Sequence, residues 1–313
     1  MTHYVLLVSS DSELNDELLS LSTTHANKST SMLNDDVQWV LPNDPNAHKA
    51  IMAACWYPDS TILSEFPALE CLHSLAAGAD HLGDALLNAA LPVCRIVDNE
   101  QKKGMLEYVL WAVLYFQRDF DRAIQGQTQR HWQRYPQQKA QDIQIGVMGL
   151  GEIGLYVAQG LEKQGYTVAG WSNSKKDIPN VQCFAGKDEL HSFLKNTDIL
   201  VNLLPLNHAT NRIIDSNFIK QLKSSASLIN CGRGGHVDYN ALQTALESET
   251  LRGAILDVFD EEPLAQDSPL WEVQNLLITP HMASASSSEV LIEQVSENTR
   301  RLATGSPLNN RIN

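Results

Sequence analysis

Short apolar runs alternate with amphipathic stretches along most of this 313-residue chain. That rhythm predicts α/β units around parallel sheets, because strands buried on both faces read as near-continuous apolar runs. In the first third, residues 4–8, 50–55, 71–75 and 92–97 have the character of buried strands, and 12–22 and 81–89 that of helices between them. From Glu100 the pattern changes to one long helix, expected to run to about Gln127, with Met105, Val109, Ala112, Val113 and Phe116 along its apolar face. A polar stretch rich in Gln and Arg covers 125–141. A second series follows, with strands expected at 143–148, 167–171, 199–203, 227–230, 253–258 and 276–279, and helices such as 153–164 and 239–247. A final helix is expected over 287–302, and periodicity alone leaves open which part of the chain it joins. The rhythm occurs twice, so two α/β domains are expected.

Composition narrows the function classes. Hydrophobic residues make up 43% and charged residues 19%, an ordinary balance for a folded chain. The net charge of −14 argues against a nucleic-acid partner, which needs a basic face. A small anionic substrate stays open, since a few local cations set the field inside one site. The five cysteines (Cys55, Cys71, Cys94, Cys183 and Cys231) show no CxxC spacing, and their odd number suits a reducing compartment. No zinc-type ligand pattern occurs, so no metal is expected. The apolar run at 4–8 is too short for a signal peptide and none reaches membrane-span length, so a cytoplasmic protein without a membrane partner is expected.

The first chemical signature is Gly149-Leu150-Gly151-Glu152-Ile153-Gly154, which follows a predicted strand and opens a predicted helix. In that setting Gly149 permits a tight turn, Gly151 lets backbone approach a pyrophosphate, and Gly154 lets helix and strand pack closely. The pyrophosphate would sit at the helix N-terminus, against Glu152 and Ile153, where free N–H groups and the macrodipole favour anions. A dinucleotide that binds adenosine ribose through its hydroxyls calls for a carboxylate at the end of the next strand, about 20 residues on. Here that position is Ser172, followed by Asn173, Ser174, Lys175 and Lys176. A 2′-phosphate would be repelled by a carboxylate and held by these donors and cations. NADP(H) is therefore expected over NAD(H), with NAD(H) left open. The alternative is a solvated turn whose lysines serve only solubility.

Three more stretches lie just past predicted strands: Asn230-Cys231-Gly232-Arg233-Gly234-Gly235, Asp257-Val258-Phe259-Asp260-Glu261-Glu262-Pro263-Leu264, and Thr279-Pro280-His281-Met282-Ala283. Singly, each reads as a surface arginine, an acidic turn or a capping histidine. Together and in this order they resemble the D-2-hydroxyacid dehydrogenase family. The loop Leu75-Ala76-Ala77-Gly78-Ala79-Asp80-His81 and the strand end Asn202-Leu203-Leu204-Pro205-Leu206 extend the resemblance over nearly the whole chain. Within the family the chain is most similar to the bacterial glyoxylate/hydroxypyruvate reductase group, through Ala54-Cys55-Trp56-Tyr57-Pro58, Met105-Leu106-Glu107-Tyr108 and Trp171-Ser172-Asn173.

The resemblance implies a catalytic trio of Arg233, Glu262 and His281. Those residue types suit the chemistry. A guanidinium can fork onto a 2-oxo acid's carboxylate and polarise its carbonyl. An imidazole can supply the proton, and a carboxylate on its other nitrogen fixes the tautomer and favours the imidazolium. The resemblance also implies that Asp257 accepts from the nicotinamide carboxamide, that Pro205 packs against the cofactor, that Ala77, Gly78 and Ala79 present N–H groups to the substrate carboxylate, and that Trp56 closes the substrate pocket. Arg233 and His281 would also touch substrate.

The implied fold is two doubly wound parallel-sheet domains with an inter-domain cleft. One is a Rossmann-type cofactor domain at 97–281, the other a flavodoxin-like substrate domain built from 1–96 and 282–313. The implied activity is NADPH-dependent reduction of glyoxylate and hydroxypyruvate by a homodimer, with the long helix from Glu100 as a dimer face. A chain ending at Asn313 leaves no room for an added regulatory domain, so the longer phosphoglycerate dehydrogenases are not expected. The alternatives are a dehydrogenase of another D-2-hydroxy acid, such as D-lactate or a longer analogue, and a non-catalytic nicotinamide-sensing protein.

Overall fold

The structure is a computed structural model and describes residues 2–28 and 36–313. The chain divides into two compact units, Met1–Asn99 with Ser286–Asn313, and Glu100–Ala285.

The first unit is built on a five-stranded sheet of β1 (His3–Ser9), β2 (Val37–Val40), β3 (Met52–Trp56), β4 (Cys71–Ser74) and β5 (Val93–Cys94). All are parallel, in the order β2-β1-β3-β4-β5 of a flavodoxin-like sheet. Alternate residues of each strand face opposite ways. Val5, Leu7, Met52 and Ala54 pack beneath Leu18 of helix α1 (Ser12–Lys28) and Leu291, Ile292 and Val295 of the last helix, α10 (Ser288–Ala303). Leu6, Ala53, Cys55 and Leu72 pack on the other side with Ile62 of α2 (Ile62–Glu65) and Leu86 of α3 (Gly83–Leu87). The last helix thus belongs to the first unit. Its buried positions recur at helical spacing, and Ser296 and Arg300 bond Trp39 at 3.2 Å and Asp36 at 3.0 Å.

The second unit holds a seven-stranded sheet of β6 (Gln144–Met148), β7 (Thr167–Ser172), β8 (Val181–Ala185), β9 (Ile199–Asn202), β10 (Ser227–Asn230), β11 (Gly253–Leu256) and β12 (Leu276–Ile278). It is also all parallel, in the order β12-β11-β10-β9-β6-β7-β8. The chain winds outward from β6 to β8, then returns to the other side of β6 with β9. A switch point therefore lies between β6 and β9, where open α/β sheets form ligand crevices at the carboxyl ends of their strands. Ile145, Val147, Val168 and Val201 pack under α4 (Asn99–Gln117) and α6 (Glu152–Lys163). Met148, Ala169, Leu200 and Leu228 pack under α7 (Gly186–Leu194), α8 (Ser216–Ile219) and α9 (Tyr239–Glu247).

Two expectations need correction. The helix from Glu100 is not continuous: α4 ends at Gln117, and α5 (Phe120–Thr128) starts after Asp119, whose φ is +55°. Asp119 is buried, and its carboxylate is held by Arg252 at 2.8 Å and Arg122 at 3.1 Å. A tertiary ion pair thus fixes the break inside a pattern that reads as helix throughout. The sheets also carry β2 and β8, edge strands that the apolar pattern did not predict.

Candidate active site

At the switch point β6 runs through the glycine turn into α6. Gly149 has φ +92°, and a Cβ there would lie 2.6 Å from the Leu203 carbonyl oxygen. A Cβ on Gly154 would lie 1.7 Å from the Gly149 oxygen, so the turn closes only with glycine at both positions. Gly151 caps the helix without a side chain, and the space where its Cβ would stand is open to 4 Å. The first N–H groups of a helix have no intrahelical acceptors, so the start of α6 presents the positive end of its macrodipole to that space. This cradle fits a pyrophosphate, and a bound nicotinamide dinucleotide would supply hydride chemistry there. The Glu152 carboxylate turns to Lys102 Nζ at 2.6 Å.

At the end of β7, Ser172 is buried and its hydroxyl donates to the Ser174 carbonyl at 2.8 Å. Asn173, Ser174, Lys175 and Lys176 are exposed. Lys175 is ion-paired with Glu189 at 2.9 Å. Pro205 is exposed beyond β9, with its carbonyl accepting from Thr210 at 2.7 Å.

Arg233, Glu262 and His281 follow β10, β11 and β12, so three neighbouring parallel strands deliver them to one edge of the sheet. His281 Nδ1 lies 2.6 Å from Glu262 Oε2. A carboxylate only accepts, so Nδ1 carries the proton and Nε2 is the free edge of the neutral ring. The Phe259 N–H donates to the other oxygen of Glu262 at 2.8 Å and fixes the carboxylate plane. The Glu262 hydrogen bond raises the His281 pKa above its ordinary value against partial burial, with the nearby Glu262 and Asp257 charges adding and that of Arg233 opposing. Burial pushes Glu262 up, but the His281 bond, the Phe259 N–H and the charges of His281 and Arg233 outweigh it and leave the carboxyl below its ordinary value. Each group thus favours the charged form of the other.

Two buried polar clusters aim these residues, and sequence reading named neither as such. Beneath Arg233, Asn202 at the end of β9 donates to Asn230 Oδ1 at 2.8 Å and approaches His236 Nδ1 at 2.9 Å. Asn230 donates to the Arg233 carbonyl at 3.0 Å, and the Arg233 N–H donates to His236 Nδ1 at 3.1 Å. His236 Nδ1 therefore accepts, and its ring is the Nε2–H tautomer. A Cβ on Gly234 would lie 2.0 Å from the Phe259 carbonyl carbon, so glycine lets the arginine loop close onto the segment leading to Glu262.

The second cluster is Asp257. It is buried, and its Oδ1 accepts from the Thr279 hydroxyl at 2.6 Å and the Met282 N–H at 2.9 Å, while Oδ2 accepts from the Ala283 N–H at 3.0 Å. Its carbonyl accepts the His281 N–H at 2.8 Å, clamping His281 at φ +50°. A left-handed backbone at a non-glycine residue is held by its surroundings. An asparagine or aspartate closing an apolar strand was the available signal for both clusters.

In the first unit Trp56 ends β3, with its ring 4.8 Å from that of His81. The loop after β4 is drawn in by the Ser74 hydroxyl, which reaches the Gly78 carbonyl at 2.6 Å, and by Arg95, which donates to the Ala77 carbonyl at 3.2 Å. Among the described residues, the N–H groups of Ala77, Gly78 and Ala79 have no acceptor within the chain, an arrangement that suits an anion. Among the described residues, no group of three His, Cys, Asp or Glu side chains comes together as a metal site would require. No described helix is long and apolar enough to cross a membrane.

Comparison with known proteins agrees with this geometry. Residues 110–283 match the D-isomer specific 2-hydroxyacid dehydrogenase, NAD binding domain. The glyoxylate/hydroxypyruvate reductase A of Citrobacter koseri is 36% identical over 266 residues, 83% of this chain and 85% of the relative. The crystal structure of a D-isomer specific 2-hydroxyacid dehydrogenase family protein from Klebsiella pneumoniae superposes with a TM-score of 0.92 at 42% identity, covering 99% of this chain and 97% of the other. The NADPH-dependent glyoxylate/hydroxypyruvate reductase of Sinorhizobium meliloti, in complex with NADP and sulfate, superposes with a TM-score of 0.87 at 28% identity, covering 100% and 98%. With its two parallel-sheet α/β units, the chain belongs to the D-isomer specific 2-hydroxyacid dehydrogenase family of NAD(P)-dependent oxidoreductases.

Proposed function

We propose that this chain uses NADPH to reduce small 2-oxo acids, glyoxylate to glycolate and hydroxypyruvate to D-glycerate, with His281 as the proton donor. The observation that carries the reading is the 2.6 Å pairing of His281 Nδ1 with Glu262, which leaves Nε2 to face a reactant. A bound dinucleotide would supply hydride for the carbonyl carbon. Arg233 holds the substrate carboxylate and polarises the carbonyl oxygen as negative charge builds there. His281 transfers its Nε2 proton to that oxygen, and Glu262 stabilises the imidazolium before transfer. In oxidation the same nitrogen must start deprotonated.

The glycine turn and the N–H groups of Glu152 and Ile153 would hold the pyrophosphate, with Pro205 against the dinucleotide. Ser172 in place of a carboxylate, followed by Asn173, Ser174 and Lys175, favours the 2′-phosphate, in keeping with the NADP and NADPH named in related structures. Asp257 is assigned to the nicotinamide end, where its three internal hydrogen bonds make it a positioning residue for His281 as well. In the first unit, the open N–H groups of Ala77, Gly78 and Ala79 fit a carboxylate and Trp56 an apolar edge.

Five free cysteines fit the cytoplasm. A homodimer is supported by α5, which buries none of its residues, and by the exposure of Trp111, Leu114, Phe120, Ile124 and Trp132 around it. The deciding experiment follows NADPH and NADH oxidation at 340 nm with glyoxylate and with hydroxypyruvate. Fast turnover with NADPH supports the reading. Turnover only with larger 2-oxo acids would reassign the substrate, and cofactor binding without any turnover would leave a sensing protein.

A further inference from the structure

The cofactor-distinguishing end of β7 holds a carboxylate that the sequence motif does not contain. β7 and β8 run parallel with Ser172 opposite Ala185, so the ends of the two strands lie side by side. Helix α7 starts directly after Ala185 and carries Glu189 in its first turn. Glu189 folds back over the end of β8, with Oε2 accepting the Ala185 N–H at 2.6 Å. From there both its oxygens meet Lys175 Nζ, at 2.9 and 3.2 Å. The Lys175 ammonium also lies 6.0 Å from the centre of the Phe184 ring, so strand β8 and its helix hold the lysine from two sides.

We infer that Glu189 is a specificity-determining residue that restrains this chain's preference for the phosphorylated dinucleotide. The inference rests on the assignment of the Ser172–Lys175 turn to the adenosine ribose. The carboxylate competes with an incoming 2′-phosphate for the Lys175 ammonium, and it adds its own repulsion to a group that carries nearly two negative charges. A ribose that bears only hydroxyls meets neither penalty, and it can donate to Glu189. The chain thus supplies, from the helix that follows the neighbouring strand, the acidic group that Ser172 leaves out of its usual place. Both partners are largely exposed, so the competition is modest and weakens with salt.

The test is equilibrium binding of NADPH, NADH, 2′,5′-ADP and 5′-AMP by titration calorimetry at low ionic strength. The variants are Glu189→Gln, Lys175→Ala and the double variant. Glutamine keeps an oxygen for the Ala185 N–H, so the start of α7 stays capped. Glu189→Gln is expected to tighten NADPH and 2′,5′-ADP roughly fivefold, within the range of exposed ion pairs, to leave NADH and 5′-AMP unchanged or weaker, and to lose most of the gain in the Lys175→Ala background and at high salt. Equal NADPH and 2′,5′-ADP affinities in wild type and Glu189→Gln would overturn the inference. A wild-type chain without NADPH preference that gains one in Glu189→Gln would support it, while overturning the NADPH assignment alone.

Discussion

The Thr279 hydroxyl donates to Asp257 Oδ1 across 2.6 Å, linking the ends of β11 and β12 just before the loop that carries His281. Thr279 uses its proton on the carboxylate, so the Tyr108 hydroxyl of α4, 2.6 Å away, must donate to the Thr279 oxygen. A chain of hydroxyls therefore runs from α4 through Thr279 to Asp257 and on to the backbone of Met282 and Ala283.

This makes Asp257 sensitive to even an isosteric change. In Asp257→Asn an amide group would face N–H donors, and each buried donor left unpaired costs about 1–3 kcal/mol. We expect the melting temperature to fall by several degrees, with kcat lower as His281 loses its clamp. Wild-type melting temperature and kcat in Asp257→Asn would show that the loop holds itself.

The His281–Glu262 pair sets a pH dependence whose sign is fixed. Reduction requires the protonated ring, and Glu262 raises the pKa of His281. Reductive kcat/KM should hold below that raised pKa and fall as pH rises through it, while oxidation should show the reverse. Glu262→Gln should move the descending limb to lower pH, because the raising hydrogen bond and charge are lost. An unmoved limb would remove His281 as the titrating donor.

Direct removal of the donor gives a larger effect. His281→Ala should lower kcat by about 10²-fold or more and leave dinucleotide affinity near wild type. Full turnover in both directions would end the proton-transfer assignment.

Arg233 is expected to act in both ground and transition states. Arg233→Ala should raise KM and lower kcat together, and Arg233→Lys should restore little, because an ammonium lacks the planar fork. A change in KM alone would confine Arg233 to substrate binding.

Stability should depend on a different histidine. His73, on β4 of the first unit's sheet, is fully buried, and burial holds its pKa down to about 4 although Nδ1 bonds the Ser74 carbonyl at 2.8 Å. Its pKa in the unfolded chain is about 6.5. Below that value the unfolded chain takes up a proton that the folded one refuses. The first unit should therefore lose up to about 3 kcal/mol between pH 6.5 and 4. Denaturant titrations at pH 7 and 4.5 test this, and His73→Leu should flatten the difference. An equal loss in His73→Leu would place the acid sensitivity elsewhere.

The parts of this protein that depend on local pattern are legible in its amino-acid order. Strands such as β1, β3, β6 and β10 are central in parallel sheets and covered on both faces, so they appear as unbroken apolar runs. The glycine turn was equally legible, because a left-handed Gly149 and the contact of Gly154 with its carbonyl admit no other residue. The order of the arginine, glutamate and histidine stretches marked the carboxyl ends of three strands.

Tertiary structure decided the rest, wherever partners distant in sequence outweigh local preference. Edge strands β2 and β8 pair on one side only, so their short sequences carry little apolar signal. The break between α4 and α5 is set by Arg252, 133 residues from Asp119 along the chain. The same holds for the aim of Arg233, governed by Asn202 and His236, and for the three internal donors gathered by Asp257. Lys175 reads in the sequence as a free cation. In the fold Glu189 occupies it, because parallel pairing of β7 and β8 brings the start of α7 beside the end of β7.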